Sequence, residues 1–211
     1  MPENSLPPAG LINLNDAVIL IPPDSDKLVR KAAQVLAEEV YRRTRIPWPI
    51  TSSAPRPDTP TIVLGQADQN ANQFIQDEQI TAWVETGTPT PADGFRIHTT
   101  TLQNAVKVYV LGNDARGVLF GAGYLLRRLS IKKGSVSLAD AIEINTFPHY
   151  SLRGHQLGYR DKTNAYDGWD LPQWDQYMRE LAIFGTNAIE LIPPRSDDRA
   201  DSVHFPLPPM E

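Results

Sequence analysis

Two short apolar segments, Ser151 to Leu157 and Asn187 to Ile192, bracket an amphipathic helix pattern and constrain the fold more than any other feature of the chain. Trp174, Tyr177, Met178, Leu181 and Ala182 recur at i, i+3, i+4, i+7 and i+8, which predicts a helix over 171–184 with one apolar stripe. Asp170 can cap its start with Gln173 three residues on, Pro172 sits in the first turn, and Gly185 suits a left-handed end. A strand, helix, strand succession of this kind pairs its strands in parallel, with the helix crossing one face. Two such strands cannot bury both of their faces. The expectation is therefore the opening of a larger parallel α/β structure, a (β/α)8 barrel (TIM barrel) truncated after its second strand. Ile189 and Leu191 then face the helix, and Glu190 faces the interior, where an ionised carboxylate is costly unless paired.

Residues 1–146 read as a separate α/β module, an α+β arrangement with a mixed sheet and helices on one face. Ala17 to Ile21 is a buried-type strand, and Pro22, Pro23, Asp24 and Ser25 turn the chain into a helix carrying Leu28, Val29, Ala32, Val35, Leu36 and Val40. Asp24 and Asp26 at its start and Arg42, Arg43 and Arg45 at its end complement the helix dipole. The strand Thr61 to Leu64 follows a Pro-rich turn, and residues 68–84 are expected to be helical with Phe74, Ile75, Ile80 and Trp83 inward. Phe95 and Ile97, then Val106, Val108 and Val110, alternate with polar residues around Gln103-Asn104, the pattern of an antiparallel hairpin. Asp114 caps a second long helix whose inward stripe is Val118, Ala122, Leu125 and Leu129. Gly117, Gly121 and Gly123 leave it little bulk, which fits close packing on a sheet; no phosphate-loop spacing accompanies them. Ala141 to Ile144 is a last strand before Pro148. The domain division is 1–146 and 147–211.

Composition excludes several classes. The 211 residues carry a net charge of −5 with dispersed basic residues, so no polyanion-binding face is indicated and nucleic acid is not an expected partner. The absence of cysteine removes disulfides and thiolate metal sites, and the isolated histidines have no ligand spacing. Neither a metal nor another cofactor is expected. Apolar runs are too short for a membrane span, and Met1 to Leu20 lacks the basic start and continuous apolar core of a signal peptide. Periplasmic or extracellular placement follows only if a native signal has been removed.

The order strand, long helix, strand, hairpin, then Asn113-Asp114-Ala115-Arg116-Gly117-Val118-Leu119-Phe120-Gly121 opening a helix, precedes Phe147-Pro148-His149 and Leu152-Arg153-Gly154. It resembles the non-catalytic N-terminal domain of family 20 glycoside hydrolases, the β-N-acetylhexosaminidases, running into their barrel. Related domains precede the barrels of α-N-acetylglucosaminidases and α-glucuronidases. Trp174 with Leu181-Ala182-Ile183-Phe184-Gly185-Thr186-Asn187 is similar to the first helix and second strand of those barrels. The resemblance implies a parent hydrolase acting on N-acetylhexosaminides or glucuronides, with carbohydrate as partner. It also implies that Arg153 occupies the position of an arginine binding sugar hydroxyls. The chain departs from that pattern at Gly158, where an aspartate is usual, and at Glu190-Leu191-Ile192, where the second strand is usually rich in histidine. The family's catalytic Asp-Glu pair follows the fourth strand, which this sequence does not reach; Asp77-Glu78 lies in the first module and is a decoy. No catalytic residue is assigned, and the fragment itself is expected to be inactive.

Barrel chemistry is built at the C-terminal ends of the strands. The loop after Leu157 offers Tyr159, Arg160, Asp167 and Trp169, and the loop after Ile192 offers Arg195, a mixture of flat rings and polar groups suited to a sugar's C–H face and hydroxyl rim. Each has a structural alternative. Tyr166 and Trp169 pack the helix start if they do not stack on substrate, and Arg153 pairs with Glu190 across neighbouring strands if it is not a sugar ligand. Glu190 reads as an electrostatic or substrate-orienting group. A rival reading of the whole chain is a non-catalytic carbohydrate-binding or protein-interaction module.

Overall fold

A computed structural model describes residues 10–67, 91–157 and 165–191, with the side chains of Ala165, Asp167 and Leu191 outside the described set. Two compact units divide after His149. In the first, strands β1 (Ile12–Asn13), β2 (Val18–Leu20), β3 (Ile50–Thr51), β4 (Thr61–Gln66), β5 (Phe95–Leu102), β6 (Ala105–Gly112), β7 (Leu129–Lys132), β8 (Ser135–Leu138) and β9 (Glu143–Thr146) accompany helices α1 (Lys27–Thr44) and α2 (Ala115–Arg128). A six-stranded sheet runs β3-β2-β4-β6-β5-β9. Its β2, β3, β4 and β6 are parallel neighbours, while β5 pairs antiparallel with both β6 and β9. The mixed sheet agrees with the sequence reading.

Local chemistry explains the elements. The Asp26 side chain accepts from Leu28 N at 2.7 Å to start α1, and Arg45 closes it in the left-handed region at φ 67°. Gln103 and Asn104 both have positive φ, so the two-residue turn predicted from the sequence joins β5 to β6 with the twist a tight hairpin needs. The expected helix over 68–84 lies outside the described residues.

Helices α1 and α2 touch each other, and both touch β4, so they cover one face of the sheet. The approach of α2 is set by glycines. A Cβ on Gly117 would lie 2.1 Å from Gly94 O, one on Gly112 2.2 Å from Val118 N, and one on Gly121 2.7 Å from Val110 Cγ1. Asp114 holds this junction from both sides, its Oδ1 accepting from Gly117 N at 2.7 Å and its Oδ2 from Asp93 N at 2.8 Å. Arg116 Nε lies 2.7 Å from the buried Asp93 carboxylate, and Asn113 N donates to Gly94 O at 2.9 Å. The Asp-Ala-Arg-Gly run is therefore a lock between a helix start and the start of β5. Phe95 faces α2, so its strand neighbour Arg96 lies on the other face; burial of that guanidinium pushes its pKa below the ordinary arginine value.

Two details differ from expectation. Helix α2 ends at Arg128, and Leu129, assigned to its stripe, begins β7. Strands β7 and β8 form a hairpin with Gly134 at φ 75°, and with β1 they make a second, three-stranded sheet. Asn15 ties the two ends of this unit together by accepting from Val136 N at 2.7 Å, and Trp48 Nε1 donates to Leu14 O at 2.9 Å.

Substitution Gly117→Ala is expected to cost at least about 2 kcal/mol, because backbone rather than a flexible side chain occupies the space. Asp114→Ala is expected to cost about 1–2 kcal/mol through the lost cap. Gly65→Ala, whose Cβ meets only ordinary contacts at 3.8 Å, is expected to change stability by less than about 0.5 kcal/mol. Urea unfolding of the three variants checks the ranking, and equal stabilities for Gly117→Ala and Gly65→Ala would contradict the close-packing account.

Candidate functional site

The second unit contains β10 (Gly154–Leu157), a 3-10 turn (Ala165–Gly168), α3 (Leu171–Ile183) and β11 (Ala188–Leu191). Strands β10 and β11 pair in parallel, with Gly154 opposite Ala188, His155 opposite Ile189, Gln156 opposite Glu190 and Leu157 opposite Leu191. This is the parallel pair and crossing helix predicted from the sequence. The helix boundaries follow their signals closely. Asp170 and Gln173 form a reciprocal capping box. At the other end Gly185, at φ 95°, donates to Ala182 O, and Thr186 N donates to Leu181 O at 3.0 Å, a Schellman closure.

Period-two alternation separates the two faces of the pair. His155 faces α3, where its Nε2 lies 2.9 Å from Tyr177 Oη, a satisfied hydrogen bond between strand and helix. Gln156 and Glu190 face the other way, and both are exposed. Gln156 Nε2 donates to Glu190 Oε2 at 2.9 Å. Glu190 is thus paired with Gln156, not with Arg153 as expected. Register explains the difference, because Arg153 precedes β10 and lies level with Asn187, one position before Ala188.

Arg153 is held at the N-terminal ends of the strands. Its Nε donates to Gly185 O at 2.7 Å and its Nη1 to Tyr150 O at 2.8 Å, with a longer contact of 3.4 Å to Ser151 O. Its backbone N donates to Asn187 Oδ1 at 2.9 Å, while Asn187 returns a bond from its own N to Arg153 O at 3.1 Å and from Nδ2 to Ser151 O at 2.7 Å. Arg153 and Asn187 together lock the turn after α3 to the start of β10.

Trp169 sits in an aromatic cluster. Its ring centroid lies 5.3 Å from Trp174 and 5.0 Å from Tyr177, and Tyr166 lies 6.0 Å from Trp169 and 6.1 Å from Trp174. Both residues pack on the helix start, the geometry of a staple. Trp169 and Tyr177 also line an open groove of about 550 Å³ with Asp170, Gln173, Gln176 and Glu180 along it. Of the other candidates, Tyr159, Arg160 and Arg195 lie outside the described residues, and so does the side chain of Asp167; its backbone belongs to the 3-10 turn. The decoy Asp77-Glu78 also falls outside. The sequence reading missed Gln156 and Asn187. Counting strand parity from both segments places Gln156 beside Glu190, so that signal was available; the Asn187 lock depends on tertiary register and has no local signature.

No protein-family model matches the chain, and no curated protein matches it. Solved structures do. The family 84 protein CpGH84D superposes with a TM-score of 0.59 at 13% identity, over 95% of this chain and 32% of its own. The Streptomyces plicatus N-acetyl-β-hexosaminidase gives 0.54 at 17% identity, over 89% and 32%. The family 115 4-O-methyl-α-glucuronidase BtGH115A gives 0.56 at 13%, over 86% and 25%. The chain has the fold of the corresponding part of these glycoside hydrolases and spans a quarter to a third of their length.

Replacing Arg153 by Ala removes donors to backbone carbonyls at 2.7 and 2.8 Å. The expected loss is about 1–2 kcal/mol in urea unfolding of the second unit, with Arg153→Lys recovering less than half. Undiminished stability in Arg153→Ala would remove the clamp from the account.

Proposed function

We propose that this chain is part of a glycoside hydrolase, with residues 1–146 as a non-catalytic module resembling the N-terminal domain of hexosaminidases and 147–211 as the start of the (β/α)8 catalytic barrel. The observation that carries the reading is the succession, in one chain, of a mixed-sheet module closed by a glycine-packed helix and a parallel strand pair crossed by a capped helix. Fold similarity to a β-hexosaminidase and to an α-glucuronidase supports it. The parent acts on N-acetylhexosaminides or glucuronides, and no cofactor is required.

The division of labour follows from strand polarity. Leu157 and Leu191 end β10 and β11, so the loops beyond them carry the substrate contacts: Tyr159, Arg160 and Asp167 in the first, Arg195 in the second, with Glu190 just below on the open face. Trp169 contributes through the groove it lines and Arg153 by holding the strand starts in register. Glycosidic cleavage needs a second carboxyl beside the acid, either flanking the scissile bond or, in substrate-assisted enzymes such as those of family 20, supporting the substrate's own acetamido group. Glu190 alone is not such a pair, and the catalytic pair belongs to later strands of the parent. On this reading the 211 residues alone are expected to show no glycoside turnover.

The test is turnover of an aryl-glycoside panel by the whole native gene product and by the 211-residue chain side by side. Hydrolysis of an N-acetylhexosaminide or a glucuronide by the whole product alone is the expected result. Turnover by the short chain, or none by a folded whole product, would sink the proposal.

A further inference from the structure

Helices α1 and α2 cover one face of the six-stranded sheet, and register assigns the residues of the other. Arg96 points away from α2, Leu111 lies opposite it on β6, and His98 lies opposite Tyr109 two residues back. Across the parallel pairs, Tyr109 stands beside Val63 and Leu111 beside Gly65 on β4, while Val63 stands beside Leu20 on β2. This second face is not solvated. Leu20, Val63, Tyr109 and Leu111 are buried, and so is Arg96, a long cationic side chain that is only 5% exposed. On the edge strand β9, Asn145 and Glu143, level with Arg96 and His98, are exposed. The cover therefore lies over β2, β4, β6 and the start of β5 and stops short of β9. The three-stranded sheet packs on α1, on the helical side.

We infer that the connection between β4 and β5, residues 68–90, docks on this second face and makes the first unit a three-layer structure. Both ends of the connection sit at one end of the sheet. Ala67 N donates to Gly112 O at 2.7 Å on one side of β6, and Phe95 pairs with Gly112 on the other. Departure and return are thus about 10 Å apart, two strand spacings. On the helical side this end of the sheet is filled, since the backbone of Gly94 and Gly112 occupies the space beside Gly117, and Asp114 and Arg116 hold Asp93. A connection that leaves and returns there folds onto the second face or projects into water, and the burial of that face selects the first. The sequence suits it. Ala71, Phe74 and Ile75, then Ile80, Trp83 and Val84, recur at i, i+3 and i+4, two apolar clusters separated by Gln76-Asp77-Glu78-Gln79. Val63, Tyr109 and Leu111 offer them an apolar floor. With this face occupied from within the chain, the sheet of the first unit presents no open face to a sugar or to a partner protein.

The experiment is methyl NMR on the 211-residue chain with 13C-labelled Leu and Val. Nuclear Overhauser contacts from the Val63 and Leu111 methyls to the rings of Phe74 or Trp83 are the expected result. Trp83→Ala is expected to displace the Leu111 methyl signals and to leave those of Val110, against Gly121 on the helical side, in place. The contacts are read in the unsubstituted chain, so they stand even where that variant fails to fold. Absence of contacts to residues 68–90 would overturn the docking, and what replaces them identifies the true cover. Contacts to residues 192–211 would assign the face to another segment, and contacts between labelled and unlabelled chains in a mixed sample would assign it to a second copy. Attenuation of the Leu111 methyls by a soluble paramagnetic agent as strong as that of the exposed Leu152 would leave the face open to solvent and overturn the inference equally.

Discussion

Parallel strands have to be covered on both faces, because their connections run over the sheet and their backbone bonds are weaker per residue than those of an antiparallel pair. In the second unit one helix covers one face of β10 and β11, through His155 and Tyr177 and the packed rings of Trp169 and Trp174. The other face presents Gly154, Gln156 and Glu190, all exposed. Leu171 and Phe184, at the two ends of α3, are 84% and 70% exposed, a large apolar area for so small a unit. The features proposed as functional follow from this half-covered state. The Gln156–Glu190 pair lies on the exposed face.

Within that unit, order comes from its ends. The capping box at Asp170 sets where α3 begins, the Schellman closure at Gly185 sets where it stops, and Arg153 with Asn187 binds the stop to the start of β10. Register between the strands is therefore determined before either reaches its C-terminal end, and the pairing of Gln156 with Glu190 is a consequence of it. An arginine whose resemblance suggested contact with sugar is, by its bonds, part of the scaffold that joins the turn after α3 to the start of β10. The first unit uses a similar device, since Asp114 both caps α2 and holds Asp93, and three glycines let the helix lie against the strands.

Legibility in the sequence tracked how local the physics is. Helix α3, its caps, the β5–β6 hairpin turn at Gln103-Asn104 and the tight packing at Gly117 and Gly121 depend on neighbours a few residues apart, and each was readable. Strands β1 and β3 are two residues long and exist through pairing with distant segments, so no periodicity could announce them. The β7–β8 hairpin was readable from its alternation around Gly134 but was masked by apolar Leu129, which continues the helical spacing of α2 while belonging to the strand. The face taken by Glu190, away from α3, was readable from parity. Its partner was misassigned because residue type favoured Arg153, whereas register, a tertiary property, selected Gln156.

The central claim is that this α/β module and parallel strand pair open a catalytic barrel, and the most direct measurement is the intact mass of the native gene product isolated from its source cells. The account predicts a mass several-fold above the 23.5 kDa of this sequence. A native product of 23.5 kDa would contradict it and leave a binding or structural module.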